Sequence, residues 1–328
     1  MWTLSLLSLF LVDHLKVPPP LFSRTVSKKV SALHSVQVLT DVDDTLKSSG
    51  GVKFGEIALG GVDTQYARDI IYPGAMQFIF ELSKHGAGIG GGSGRRGSGL
   101  MNFGVLTARA EELKFALEIK YDNPLAVRAR SVGKKSGEEG WGMGPVMYGS
   151  IAEWIVQGNK GRRKFDNFQQ LKERDVQELG DIGQSIKYIF LGDTGEYDEE
   201  GGVRMLQSHP DSVLAVFLHV VSDEPEETRV RRLRDKAQGQ IFERRYVRGR
   251  PVCYFRTYVG AAVEAYKCGL LSKNAVGRVV EETLREAKEL LGDFGDEKEN
   301  EKENVEGGGK VCSRWGEILV DIENGCHL

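Results

Sequence analysis

VQVLTDVDDT, residues 36–45, opens on a short apolar run and ends in three aspartates. The run over 36–41 reads as a buried β-strand. In open α/β sheets, ligand sites form beyond the carboxyl ends of the strands, and Asp41-Val42-Asp43-Asp44-Thr45 falls there. Two carboxylates at i and i+2 can divide the work. Asp41 can act as a nucleophile, as aspartate does in enzymes that pass through an aspartyl-phosphate. Asp43 can donate a proton and later accept one. Close like charges raise the pKa of one partner, which favours keeping one carboxyl protonated. The plainer readings are a calcium loop or a solvated acidic turn. An EF-hand loop needs glycine at its sixth position, where Leu46 stands. A solvated turn explains the acids but not the buried strand leading into them.

Around this strand the chain alternates. Residues 46–72 are polar and Gly-rich and read as a loop or small flap. Pro73 opens a helical pattern to about Lys84, with Phe78, Ile79 and Leu82 as its apolar stripe. Residues 86–99, GAGIGGGSGRRGSG, lose more backbone entropy on ordering than their contacts return, so a disordered loop is expected. Residues 103–107, FGVLT, read as a second strand and 110–120 as a helix. Residues 122–145 are again polar and Gly-rich and read as a loop; helices are expected over 150–157 and 165–178. IKYIFL, 186–191, and VLAVFL, 213–218, are the third and fourth strands. Strands alternating with helices imply an α/β, Rossmann-like three-layer fold: a parallel central sheet covered on both faces.

Three further signals lie along this frame. Thr107 ends the second strand, where its hydroxyl could hydrogen-bond a phosphoryl oxygen, although such a threonine more often caps the next helix. Lys164, in GRRK at 161–164, could offset charge in a phosphoryl transition state, or simply belong to a solvated basic patch. GDTGEYD, 192–198, follows the third strand directly. Its glycines suit a tight turn presenting Asp193 and Asp198, and magnesium favours a few carboxylates while keeping waters and substrate oxygens.

In order, these are a nucleophile, a hydroxyl, a lysine and an acidic pair. That series resembles the haloacid dehalogenase-like (HAD) phosphatases: DVDDT is similar to the DxDxT motif, Thr107 and Lys164 to the second and third motifs, and GDTGEYD to the GDxxxxD form of the fourth. TDVDDTLKSSG, IIYPGA at 70–75, KYIFLGDTGEYDEE and HPDSVLAVFLHVV resemble the catalytic domain of actin-patch-associated phosphatidate phosphatases, with lipin-type enzymes as more distant relatives. The likeness covers about 36–222. LTAR at 106–109 departs from the Ser-x-Ser-Pro second motif common in fungal members, and 86–99 looks like an insertion. The resemblance implies a flap inserted after the first strand and magnesium as cofactor. Asp41 is then the nucleophile and Asp43 the acid and base, with Thr107 and Lys164 on the phosphoryl oxygens. Asp41, the Asp43 carbonyl, Asp193 and Asp198 become the metal-site residues. It implies a phosphorylated small molecule or lipid as substrate, phosphatidate foremost. A soluble phosphomonoester and a noncatalytic lipid-binding module stay open as alternatives.

Other signals carry less. GSGRRG at 92–97 matches GxGxxG but follows no strand, and no GxxxxGK[ST], HExxH or GxSxG occurs. His209 and His219 read as core or surface residues. A net charge of -3 argues against a nucleic-acid partner, which would call for a basic excess. Cys253, Cys268, Cys312 and Cys326 are too sparse for a disulfide scaffold and read as free thiols in a reducing compartment.

Four segments are expected. Residues 1–32 form an apolar and Pro-rich leader, and 33–224 the phosphatase domain. Residues 225–292 form an Arg-rich and helical extension, with helices over 258–268 and 275–291, and 293–328 an acidic, disordered tail whose 311–322 stretch could dock back or bind a partner. Met1–Val12 is too short to span a membrane; it lacks a preceding Lys or Arg, yet leaves a signal peptide open. The expected compartment is the cytoplasm. Arg229, Arg231, Arg232, Arg234, Arg244, Arg245, Arg248 and Arg250 either touch an anionic membrane peripherally or pair with nearby glutamates.

Overall fold

The computed structural model describes residues 35–51, 53–54, 57–58, 63, 66–85, 100–110, 122–149, 160–195, 197–221, 244–296 and 315–326. The leader, the 86–99 stretch, residues 111–120 of the helix expected over 110–120, the helix expected over 150–157, and Arg229 to Arg234 lie outside them.

Seven strands form one sheet: β1 (Val36–Thr40), β4 (Phe103–Ala110), β5 (Met143–Gly149), β6 (Lys187–Asp193), β7 (Val213–His219), β8 (Arg245–Val247) and β9 (Arg250–Phe255), in the order β5-β4-β1-β6-β7-β9-β8. Every pairing is parallel except β8 with β9. The protein is thus α/β with a mostly parallel central sheet. A separate hairpin, β2 (Lys53–Phe54) with β3 (Ile57–Ala58), lies within 46–72.

Side chains alternate across the sheet with the two-residue period of a strand. Val36 and Val38 of β1, with Ile189 and Leu191 of β6, face one core. Leu39, Tyr188 and Phe190 face the other. The first core is covered by α1 (Ala75–Ser83), α2 (Pro124–Lys135), α6 (Tyr258–Lys267) and α7 (Lys273–Asp296). The second is covered by α3 (Lys160–Leu179) and α5 (Asp198–Ser208). Among the described residues the remaining helices are α4 (Asp181–Ser185) and α8 (Trp315–Cys326). Among the described residues no helix is long and apolar enough to cross a membrane.

Four expectations are corrected. The loop expected over 122–145 holds α2 and the start of β5. Asn123 caps α2 by accepting a hydrogen bond from the Leu125 N–H at 3.0 Å, and Pro124 fills the first helical position. β5 escapes an apolar reading because it is an edge strand, half-buried, where Pro145 need not donate to a ladder.

The boundary expected after residue 224 runs through the sheet. β9 pairs with β7, and β8 folds back on β9 through Arg248 and Gly249 at φ 52° and 77°. Two left-handed residues in succession form the tight hairpin turn whose twist matches the strands. Further on, α7 is fastened to α1: Arg278 donates two hydrogen bonds of 2.7 Å to Glu81, and the Gly74 N–H donates to Glu286 at 2.8 Å.

The tail expected to be disordered contains α8, which docks back. Ile318 and Ile322 bury against Val259 and Ala287, and Thr257 donates to Asp321 at 2.6 Å. Finally, β4 runs on past Thr107 to Ala110, so that threonine lies inside the strand and not at its end.

Candidate active site

In the sheet order, β1 leads outward to β4 and β5 on one side, while β6 leads to β7 and β9 on the other. The carboxyl ends of β1 and β6 therefore flank the point where the strand order reverses, where an open α/β sheet leaves a crevice. Asp41 is the first residue past β1 and Asp193 the last of β6. The Asp41 N–H donates to the Leu191 carbonyl at 3.0 Å, which holds the two strand ends together.

Asp198 opens α5 and Lys164 lies in the first turns of α3. These helices approach closely because glycines line the contact. A Cβ on Gly161 would lie 2.7 Å from the Tyr197 carbonyl oxygen, and one on Gly192 would lie 2.5 Å from the Asp198 side chain. The approach buries Lys164 completely. Its ammonium sits 3.0 Å from Asp41 Oδ2 and bonds Asp198 Oδ1. Asp198 Oδ2 accepts the Asp193 N–H at 3.2 Å, and Asp193 Oδ1 accepts the Gly195 N–H. The carboxylates of Asp41, Asp193 and Asp198 are all buried and offer oxygens within 4.8 Å of one another.

Asp43 stands apart from that group. Its side chain is part-exposed, with Oδ1 3.9 Å from the Lys47 ammonium, which also bonds Asp69. A carboxylate reachable from solvent beside a buried one suits proton exchange with a bound substrate or water. Thr107 is buried at the same end of the sheet, since Thr40 pairs with Val105.

The loop after Asp41 is held by residues the motif reading passed over. Asp44 adopts a left-handed φ of 58° and accepts the N–H groups of Ser49 at 2.8 Å and Asp63 at 2.9 Å. Burial pushes its pKa up, against those two hydrogen bonds. His219, at the end of β7, is a core residue: Nδ1 lies 2.6 Å from the Asp44 carbonyl oxygen and Nε2 3.0 Å from that of Arg256. The Tyr258 hydroxyl donates to the Thr45 carbonyl at 2.6 Å from the start of α6. Asp44 and Thr45 sit inside the first motif, but nothing local marks His219 or Tyr258 as their partners.

Among the arginines of the described residues, Arg244 pairs with Glu264 at 3.3 Å, Arg245 pairs with Glu199, and Arg250 donates to the Pro210 carbonyl at 2.8 Å.

The buried carboxylates offer hard oxygen ligands, and a divalent cation of the magnesium type fits such a set. Lys164 brings one positive charge to three carboxylates, which leaves negative charge for a cation to offset. Comparison of the chain with protein-family models, with curated proteins and with solved structures finds no match.

Proposed function

We propose that the protein is a magnesium-dependent phosphohydrolase that works through an aspartyl-phosphate, in the manner of the HAD phosphatases its motifs resemble. The observation that carries the proposal is the meeting of Asp41, Lys164, Asp193 and Asp198, from three separate stretches of chain, at the switch point of the sheet.

Asp41 attacks phosphorus, and the bond to the leaving oxygen breaks as Asp43 gives that oxygen its proton. Asp43 then takes a proton from water, whose oxygen displaces Asp41 and releases phosphate. Lys164 and Thr107 hold phosphoryl oxygens, and Asp198 positions the Lys164 ammonium. Asp41, Asp193 and Asp198, with the Asp43 backbone carbonyl, would hold magnesium, which would supply charge neutralisation between an anionic nucleophile and an anionic phosphate. The β2–β3 hairpin, inserted between β1 and α1, serves as the flap the resemblance implies.

The substrate the resemblance favours is phosphatidate, converted to diacylglycerol and phosphate at an anionic membrane surface. A second reading, a soluble phosphomonoester, gains weight because Arg244, Arg245 and Arg250 are engaged within the fold.

Phosphate release from phosphatidate in mixed micelles, beside a soluble aryl phosphate, tests both. Magnesium-dependent release that is lost in Asp41→Asn and in Asp43→Asn supports the mechanism, and the faster substrate names the class. Turnover retained in folded Asp41→Asn overturns the mechanism. A folded wild-type protein that sediments with phosphatidate vesicles but releases no phosphate is a lipid-binding module.

A further inference from the structure

A second chemical feature lies in the first core, where β9 meets the end of α6. Cys253 of β9 is fully buried, and Cys268 caps the end of α6, half-buried. Their sulfurs lie 3.7 Å apart. A disulfide needs about 2.05 Å, and Cys268 ends its helix beside Gly269 at φ 74°, where the chain turns. The Arg244 guanidinium reaches Cys268, with Nη1 3.4 Å from its Sγ and 3.3 Å from Glu264 Oε2.

From this geometry we infer that Cys253 and Cys268 form a redox-modification site, a vicinal thiol pair that a peroxide converts to a disulfide. Cys268 is the attacking sulfur. It is the accessible member, and its thiol is pulled down to about 7 by the hydrogen bond from Cys253 and by Arg244, against burial and Glu264. The Cys253 thiol is pushed up by the same hydrogen bond and by burial, so it stays protonated. The Cys268 thiolate attacks one oxygen of hydrogen peroxide; the O–O bond breaks and hydroxide leaves, giving a sulfenic acid. Cys253 sulfur then attacks Cys268 sulfur, its proton leaves with the departing hydroxide as water, and the S–S bond forms. Two thiols and one peroxide become one disulfide and two waters. This inference does not rest on the phosphohydrolase reading.

The test uses the full chain carrying Cys312→Ser and Cys326→Ser, so that only this pair can react. After peroxide at neutral pH and quenching with N-ethylmaleimide, intact mass should fall by about 2 Da, the weight of two hydrogens. Non-reducing peptide mapping should recover Cys253 joined to Cys268, and dithiothreitol should reverse both changes. With Cys253→Ser added, dimedone should trap a sulfenic acid at Cys268. With Arg244→Gln in place of that change, disulfide formation at pH 7 should slow severalfold and its pH profile move upward. Two maleimide-blocked thiols in the folded protein after peroxide, or a sulfinic acid at Cys268 without any linked peptide, overturns the proposal.

Discussion

Gly192→Ala isolates the part Asp198 plays. A Cβ at position 192 would lie 2.5 Å from both Cβ and Oδ2 of Asp198, where ordinary contact begins at 3.4 Å. Asp198 must therefore retreat by about 1 Å. Its Oδ1 holds the Lys164 ammonium and its Oδ2 the Asp193 N–H, so the retreat loosens two groups of the site together. A displacement of about 1 Å in a positioned group costs on the order of 10²-fold in rate. The crowding itself costs roughly 1–3 kcal/mol of stability. Gly133→Ala is the control. Its Cβ would meet the Glu138 carbonyl oxygen at 2.7 Å, at the opposite end of the sheet. Urea unfolding and kcat for magnesium-dependent phosphate release are measured on both. Both variants should lose similar stability, and only Gly192→Ala should lose about 10²-fold in kcat. A folded Gly192→Ala protein with kcat within about threefold of wild type refutes the claim that Asp198 sets the position of Lys164.

Three other outcomes follow from the same contacts. Tyr258→Phe removes the hydroxyl that donates to the Thr45 carbonyl and leaves a buried acceptor, so urea unfolding should show a loss of about 1–3 kcal/mol; an unchanged midpoint counts against that bond. Glu286 is buried, and burial raises its pKa despite the Gly74 N–H and Arg128. The folded state therefore keeps a proton the unfolded chain has released, and stability falls as pH rises from the unfolded value into the raised one. Urea midpoints from about pH 4 to 7 should show a flatter slope in Glu286→Gln, and parallel slopes would contradict this. Magnesium at about 100 times its Kd should stabilise the wild-type protein by about 2.7 kcal/mol, read as a rise in Tm, and Asp193→Asn should lose most of it. Equal shifts in both proteins would remove Asp193 from the metal site.

The sequence by itself determined the elements whose signal is local. VQVLTD, IKYIFL and VLAVFL are strands because a strand covered on both faces must be apolar throughout, and that composition is visible in any six residues. Asp41 and Asp193 stand out for a related reason: each is a carboxylate at the end of an apolar run. Where burial is partial, the signal fades. α2 buries a face of Leu125, Ala126, Ala129, Val132 and Gly133, residues too small or too sparse to stand out. β9 hides in an Arg-dense stretch because its first residues, which pair with the short edge strand β8, are only half-covered.

Tertiary structure alone decided the partnerships. Lys164 reads locally as one of three neighbouring basic residues in GRRK. It becomes the buried cation of the site only because Gly161 and Gly192 let α3 and α5 close on the end of β6. The same holds for His219 and Tyr258, which grip Asp44 and Thr45 across separations of 175 and 213 residues. It holds also for the sulfurs of Cys253 and Cys268, brought together by the turn from β9 into α6. Composition and periodicity report what each residue needs from its own surroundings. Which distant side chain meets that need is set by the packing of whole elements, and no short stretch of chain encodes it.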